Sequence, residues 1–167
     1  MNNANKSYYI TGFADGEGSF NTSFRVRNDF LIGWKISPVF NISQKQRDIL
    51  AIIKSHLKCG TIRFRKDAVW VYEVDNLNAI KTQIIPFFDK YPFLSIKKKK
   101  DFIRFKKIIT ILECNKSTTL VDLQKICQLL DEIESKSSRT YTTEQILLRA
   151  NEFWARNSEK INKKNNN

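Results

Sequence analysis

Acidic residues are scarce in this chain. It carries 17 Asp and Glu against 29 Lys and Arg, a formal charge of +12. So large an excess repels itself and suggests a polyanionic partner, nucleic acid ahead of acidic lipid. Histidine is reduced to His56, which excludes a His-rich metal site. Cys59, Cys114 and Cys127 are odd in number and far apart, giving neither a disulfide framework nor a zinc spacing. A reduced, intracellular setting is expected. No apolar run reaches the roughly 18 residues of a membrane-spanning helix, so no membrane partner is expected. The polar start MNNANKSYY shows no secretory signal. What remains is 167 residues that are 41% hydrophobic, enough for one domain with a buried core. Asn, Ile and Lys are abundant, as suits an AT-rich genome.

Residues 7–15 read as a short helix of small and apolar side chains, ended by Gly16 and Gly18. Period two follows: Phe20, Thr22, Phe24 and Val26 inward, Ser19, Asn21, Ser23, Arg25 and Arg27 outward. A second strand turns Trp34, Ile36, Phe40 and Ile42 inward, and Lys35, Ser37, Asn41 and Ser43 outward. Pro38 within it argues for an edge or a bulge. A helix over 45–57 presents Ile49, Ile52, Ile53 and Leu57. A third strand from Gly60 points Ile62 and Phe64 inward and Thr61, Arg63 and Arg65 outward. Lys66-Asp67 is the turn to a fourth strand, 69–74, with Val69 and Val71 inward and Trp70 and Tyr72 opposite. Asn76 caps a helix to 89, buried on Leu77, Ile80, Ile84, Ile85 and Phe88. Further helices are expected at 98–113, 118–134 and 142–156. A basic tail over 157–167 is expected to lack order. The order is α-ββ-α-ββ-α-α-α, an α+β fold with an antiparallel four-stranded sheet and extra C-terminal helices. A single domain over 1–156 is expected.

One strand face gathers Asn21, Ser23, Arg25, Arg27, Lys35, Ser37, Asn41, Thr61, Arg63, Arg65 and Trp70, with no acid among them. A solvated face of chance composition normally mixes both signs. Arg pairs bidentately with guanine and Asn with adenine, so the set suits a β-sheet that reads the major groove of duplex DNA. Its few aromatics disfavour a platform that stacks single strands.

The most specific segment is Ile10-Thr11-Gly12-Phe13-Ala14-Asp15-Gly16-Glu17-Gly18. Gly12 and Gly16 share a helix face and admit another backbone closely. A glycine-capped helix leading to a turn accounts for the glycines. It does not account for acids at a helix C-terminus, where the macrodipole disfavours them. A bound cation resolves the conflict, and Mg²⁺ prefers carboxylate oxygens and water.

This segment, followed at once by a strand, resembles the motif of the LAGLIDADG homing endonucleases, and the α-ββ-α-ββ-α order resembles their core fold. The likeness covers about residues 7–113 and is nearest the single-motif, homodimeric, intron-encoded branch. It implies a homodimer joined through Tyr8, Thr11, Gly12, Asp15 and Gly16, each copy supplying Glu17 as the catalytic, metal-binding acid. The Gly16 carbonyl is implied as a further ligand, and Asp15 as an acid that holds the helix end. It further implies a divalent cofactor, Mg²⁺, double-stranded DNA as substrate and no small-molecule substrate. The expected reaction is a staggered double-strand break in a long pseudo-palindromic site. Gln44 falls where the family positions water, and is equally well a polar helix-start residue. Arg47 is expected beside it. Lys97 matches the family's catalytic lysine, but the run 97–100 leaves Lys98 or Lys99 able to fill that role or to contact phosphate. An organelle is expected ahead of a prokaryotic cytoplasm. The rivals are an RNA-splicing maturase and a DNA-binding regulator without catalysis.

Overall fold

The structure, a computed structural model, describes residues 2–114, 117–132 and 140–165, with side chains through residue 157. Helix α1 (Asn3–Glu17) starts at Asn2, whose side chain accepts the Asn5 N–H at 2.8 Å. It runs through Gly16 rather than stopping there. Gly18 ends it, donating its N–H to Ala14 O and opening strand β1 (Gly18–Val26). A Cβ on Gly18 would lie 2.5 Å from Ala14 O, so this abrupt helix-to-strand junction needs glycine.

Strand β2 is Trp34–Gln44, α2 Arg47–Leu57, β3 Thr61–Phe64 and β4 Trp70–Val74. The sheet order is β1-β2-β4-β3, and β4 is antiparallel to both neighbours. Pro38 therefore lies in an inner strand, not an edge. It stands beyond the β2–β4 register, which reaches only Phe40↔Val74, and it keeps the strand's inward phase. On α2 the buried residues are Leu50, Ile53 and Leu57, while Ile52 is 44% exposed; the face is rotated from the expected one.

The expected helix over 76–89 forms as α3 (Leu77–Ala79), a π-helical turn (Ile80–Ile84) and α4 (Ile85–Lys90). Asn76 caps it by accepting the Ala79 N–H at 2.9 Å. Pro86, lacking an N–H, follows the wide turn. Helices α5 (Ile96–Cys114), α6 (Leu120–Asp131) and α7 (Thr143–Asn165) follow. Helix α7 continues through Asn165, past the tail boundary expected at 157; residues 166–167, like the 133–134 end expected for α6, lie outside the described residues.

The chain divides into two compact units. The first comprises residues 1–22 and 37–109, the second 23–36 and 110–167. Strands β1 and β2 each run from one into the other. The first unit buries a phenylalanine cluster: Phe20 lies 5.1 Å from Phe40 and 4.9 Å from Phe105, and Phe88 4.5 Å from Phe93, between ring centroids. Burial of a large apolar side chain contributes about 1.5–3 kcal/mol, so this cluster sets the sheet against its helices. The second unit centres on Trp34, with Ile32, Leu123, Cys127, Ile146 and Ala150. The Trp34 indole donates to Ile146 O at 3.1 Å.

Candidate active site and nucleic-acid face

The motif helix has two sides. On the inner one, Ser7 Oγ donates to Asn3 O (2.9 Å) and lies 2.9 Å from His56 Nε2, and Thr11 Oγ1 donates to Tyr91 O (3.1 Å). Asp15 accepts the backbone N–H groups of Leu94 (3.0 Å) and Ser95 (2.9 Å), together with the Ser95 hydroxyl. Burial alone would raise the Asp15 pKa. The Ser95 side chain, the two backbone donors and the Lys98 charge outweigh it and hold the carboxyl below its ordinary value. Asp15 thus fixes the loop that starts α5. Thr11 and Asp15, expected at a dimer interface, are engaged with this loop of their own chain.

The other side is open. Tyr8, Tyr9, Gly12, Gly16 and Glu17 are exposed, and a Cβ added at Gly12 or Gly16 would meet nothing within 4 Å. Glu17 has no hydrogen-bond or ion-pair partner among the described residues. The Gly16 carbonyl belongs to the last helical turn, whose carbonyls lack donors within the helix.

Because Asp15 sets the start of α5, it also sets the register of the lysine run. Lys97 and Lys99 are exposed, whereas Lys98 is half-buried and its Nζ donates to Gly18 O, directly after Glu17. Burial lowers the Lys98 pKa; the charges of Asp101, Asp15 and Glu17 oppose this, and Lys97 reinforces it. The geometry therefore brings Lys98, rather than Lys97, to the motif.

Gln44 ends β2 opposite Trp70, which in turn opposes Phe64. This row lies on the helix-covered side of the sheet, in phase with Ile42↔Tyr72↔Ile62. Tyr72 and Val74 are core residues, so the phase expected for β4 is inverted. Trp70 consequently leaves the outward face; it packs 4.8 Å from Phe64, with the exposed Arg47 guanidinium 5.5 Å above its ring. Phe64, expected inward, is 58% exposed.

In the first unit the outward side of the strands carries Asn21, Ser37, Asn41, Ser43, Thr61, Arg63 and Glu73, together with Val71, which is buried there as expected from the sequence. Glu73 is the acid that the sequence pattern hid, and it pairs with Arg63 at 3.2 Å. Arg65 lies just beyond β3 and pairs with Asp67 at 2.6 Å. In the second unit Ser23, Arg25 and Lys35 are exposed on their strands. Arg27, past the end of β1, holds Asp29 through Nε (2.8 Å) and a second nitrogen (2.7 Å). Ser95 and Glu73 were missed by sequence reasoning. Ser95 had a signal in its place immediately before a helix, as an N-cap.

The family model described as LAGLIDADG endonuclease matches residues 10–109. The chain is similar to the homing endonuclease I-ApeII of Aeropyrum pernix, at 30% identity over 83% of this chain and 86% of the relative. Among solved structures it resembles the archaeal intron-encoded homing endonuclease I-Vdi141I complexed with DNA: TM-score 0.80, 32% identity, 91% of this chain and 98% of that one. It also resembles I-SmaMI bound to cleaved DNA, with TM-score 0.72 and 26% identity, over 79% of this chain but only 45% of that one.

Proposed function

The chain belongs to the LAGLIDADG endonuclease family and is a DNA-cleaving hydrolase of the homing type, and on that premise we propose that it works as a homodimer. Two copies joined through the open side of α1 make a staggered double-strand break in a long pseudo-palindromic site. The observation that carries this reading is Glu17: one free carboxylate, at the exposed end of a glycine-lined helix face, in a chain with a single motif. The near-complete overlap with I-Vdi141I, against less than half of I-SmaMI, supports one motif unit per chain. A two-fold pair matches a two-fold DNA site.

Among the described residues, no three His, Cys, Asp or Glu side chains are grouped to hold a metal. Glu17 and the Gly16 carbonyl are oxygen donors that would hold a divalent ion such as Mg²⁺. Bound there, the ion would supply charge stabilisation at the phosphate. Glu17 presents its carboxylate at the exposed end of the motif helix. Lys98, fixed on Gly18 O, presents a cation toward the phosphate, and Gln44 orients water. A water oxygen bonds to phosphorus as the ester P–O bond breaks, and the leaving oxygen takes a proton. Outward residues of the first unit's strands meet base edges and phosphates of one half-site. An organelle genome is the proposed setting, supported by intron-encoded relatives in Neurospora crassa and Mycosarcoma maydis.

A duplex selected by cleavage from a randomised library tests this. Wild type should cut it in Mg²⁺, and Glu17→Gln should bind equally well yet cut about a hundredfold to a thousandfold more slowly. Substantial cutting by Glu17→Gln would remove Glu17 from the chemistry. A wild type that binds but never cuts would favour a regulator or a maturase.

A further inference from the structure

The reading face is basic and polar, yet Glu73 stands within it. The register places Glu73 between Asn41 on β2 and Thr61 on β3. Its side chain is 24% exposed, and its Oε2 accepts from an Arg63 terminal nitrogen at 3.2 Å. The other two arginine pairs of the hairpins are local: Arg27 with Asp29 and Arg65 with Asp67, two residues apart in turns. The Arg63–Glu73 pair instead crosses between two strands, so the sheet itself fixes where that guanidinium points. An exposed pair of this kind contributes little to stability. On a surface that meets DNA, a carboxylate also repels phosphate.

We propose that Glu73 is a specificity-determining positioning residue: it holds Arg63 on the sheet face, aims its free nitrogens at a base edge in the major groove, and denies Arg63 the phosphate backbone. This rests on the DNA-reading role of the sheet. An arginine swinging freely finds phosphates, which carry no sequence information. An arginine tethered by one nitrogen keeps donors for guanine O6 and N7. Glu73 thereby gives up part of the available non-specific attraction in favour of discrimination.

The test compares wild type, Glu73→Gln, Arg63→Ala and the double variant. Probes are the library-selected duplex, its single-base-pair variants and a scrambled duplex, each across a salt series. Arg63→Ala should relax preference about tenfold at one or two positions of each half-site. Glu73→Gln should relax the same positions, bind the scrambled duplex more tightly, and steepen the salt dependence by about one phosphate contact. In the double variant, removal of Glu73 should add nothing to the loss at those positions. Should Glu73→Gln leave preference and salt slope unchanged while Arg63→Ala relaxes preference, the proposal falls and the reading face stands. Additive losses in the double variant would also overturn it, because Glu73 would then act without Arg63. If neither single variant alters preference, both the proposal and the reading face at β3 are wrong. Arg63→Ala leaves no buried group unpaired, so it remains informative if Glu73→Gln folds poorly.

Discussion

The two sides of helix α1 differ sharply. On the inner side Ser7, Thr11 and Asp15 are each tied to their own chain through hydrogen bonds, and Ile10 and Ala14 are buried. On the outer side two glycines face empty space and Glu17 is bare. Asp15 and Glu17 are two residues apart, yet one is saturated by donors and the other has none. The lesson is a division of labour within one turn: the first acid holds the chain's own loop, and the second faces solvent.

The contrast is sharpened most by Lys98, whose side chain reaches Gly18 O from the helix that follows the Asp15-bound loop. Lys98→Met should slow cleavage of the selected duplex about a hundredfold with little change in its binding. Lys97→Met should have a far smaller effect on single-turnover rate, because Lys97 is exposed and not held at the motif. The reverse ranking would move the lysine register by one.

Next in size is the outer side. Gly12→Leu should leave each copy folded, since no atom of the chain meets a Cβ there, but should weaken dimerisation at least about tenfold by blocking close approach of a second helix. Sedimentation equilibrium measures it; an undiminished dimer would place the seam elsewhere.

Smallest, and on the inner side, is Asp15→Asn. Replacing a charged acceptor of three donors should cost about 1–2 kcal/mol in urea unfolding. The pH dependence has a definite sign. The Asp15 carboxyl is held below its ordinary value of 3.8, so its contribution is complete above that pH. It is lost as pH falls through the lower folded-state value. The gap between wild type and Asp15→Asn should therefore close in acid. A gap that is constant or widens on acidification would remove Asp15 from the loop's support.

Much of this was legible in the sequence, and the failures share a cause. Strands β1 and β2 alternate sharply between apolar and polar, so their phase was readable. Strand β4 opens with Trp70-Val71-Tyr72, apolar on both faces, and period two gives no phase there. What decides it is pairing: Ile42↔Tyr72↔Ile62 aligns with the core, and the Tyr72 hydroxyl finds a buried acceptor in Cys59 O at 3.2 Å. The inversion moved Trp70 off the reading face and brought Glu73 onto it. On α2, Leu50 rather than Ile52 completes the buried stripe with Ile53 and Leu57. The motif acids were plain from the segment itself. Which of four consecutive lysines reaches the motif was not, because that depends on where α5 begins, and Asp15 fixes the preceding loop from about eighty positions away in the chain.

That separation bears on the order in which the protein assembles. The Asp15–Ser95 contact closes a long loop, and such closures come late because their entropy must be met before the contact forms. A growing chain that already holds the motif gains the Lys98 contact at Gly18 only after the stretch that carries Ser95 has been made and has folded back onto helix α1.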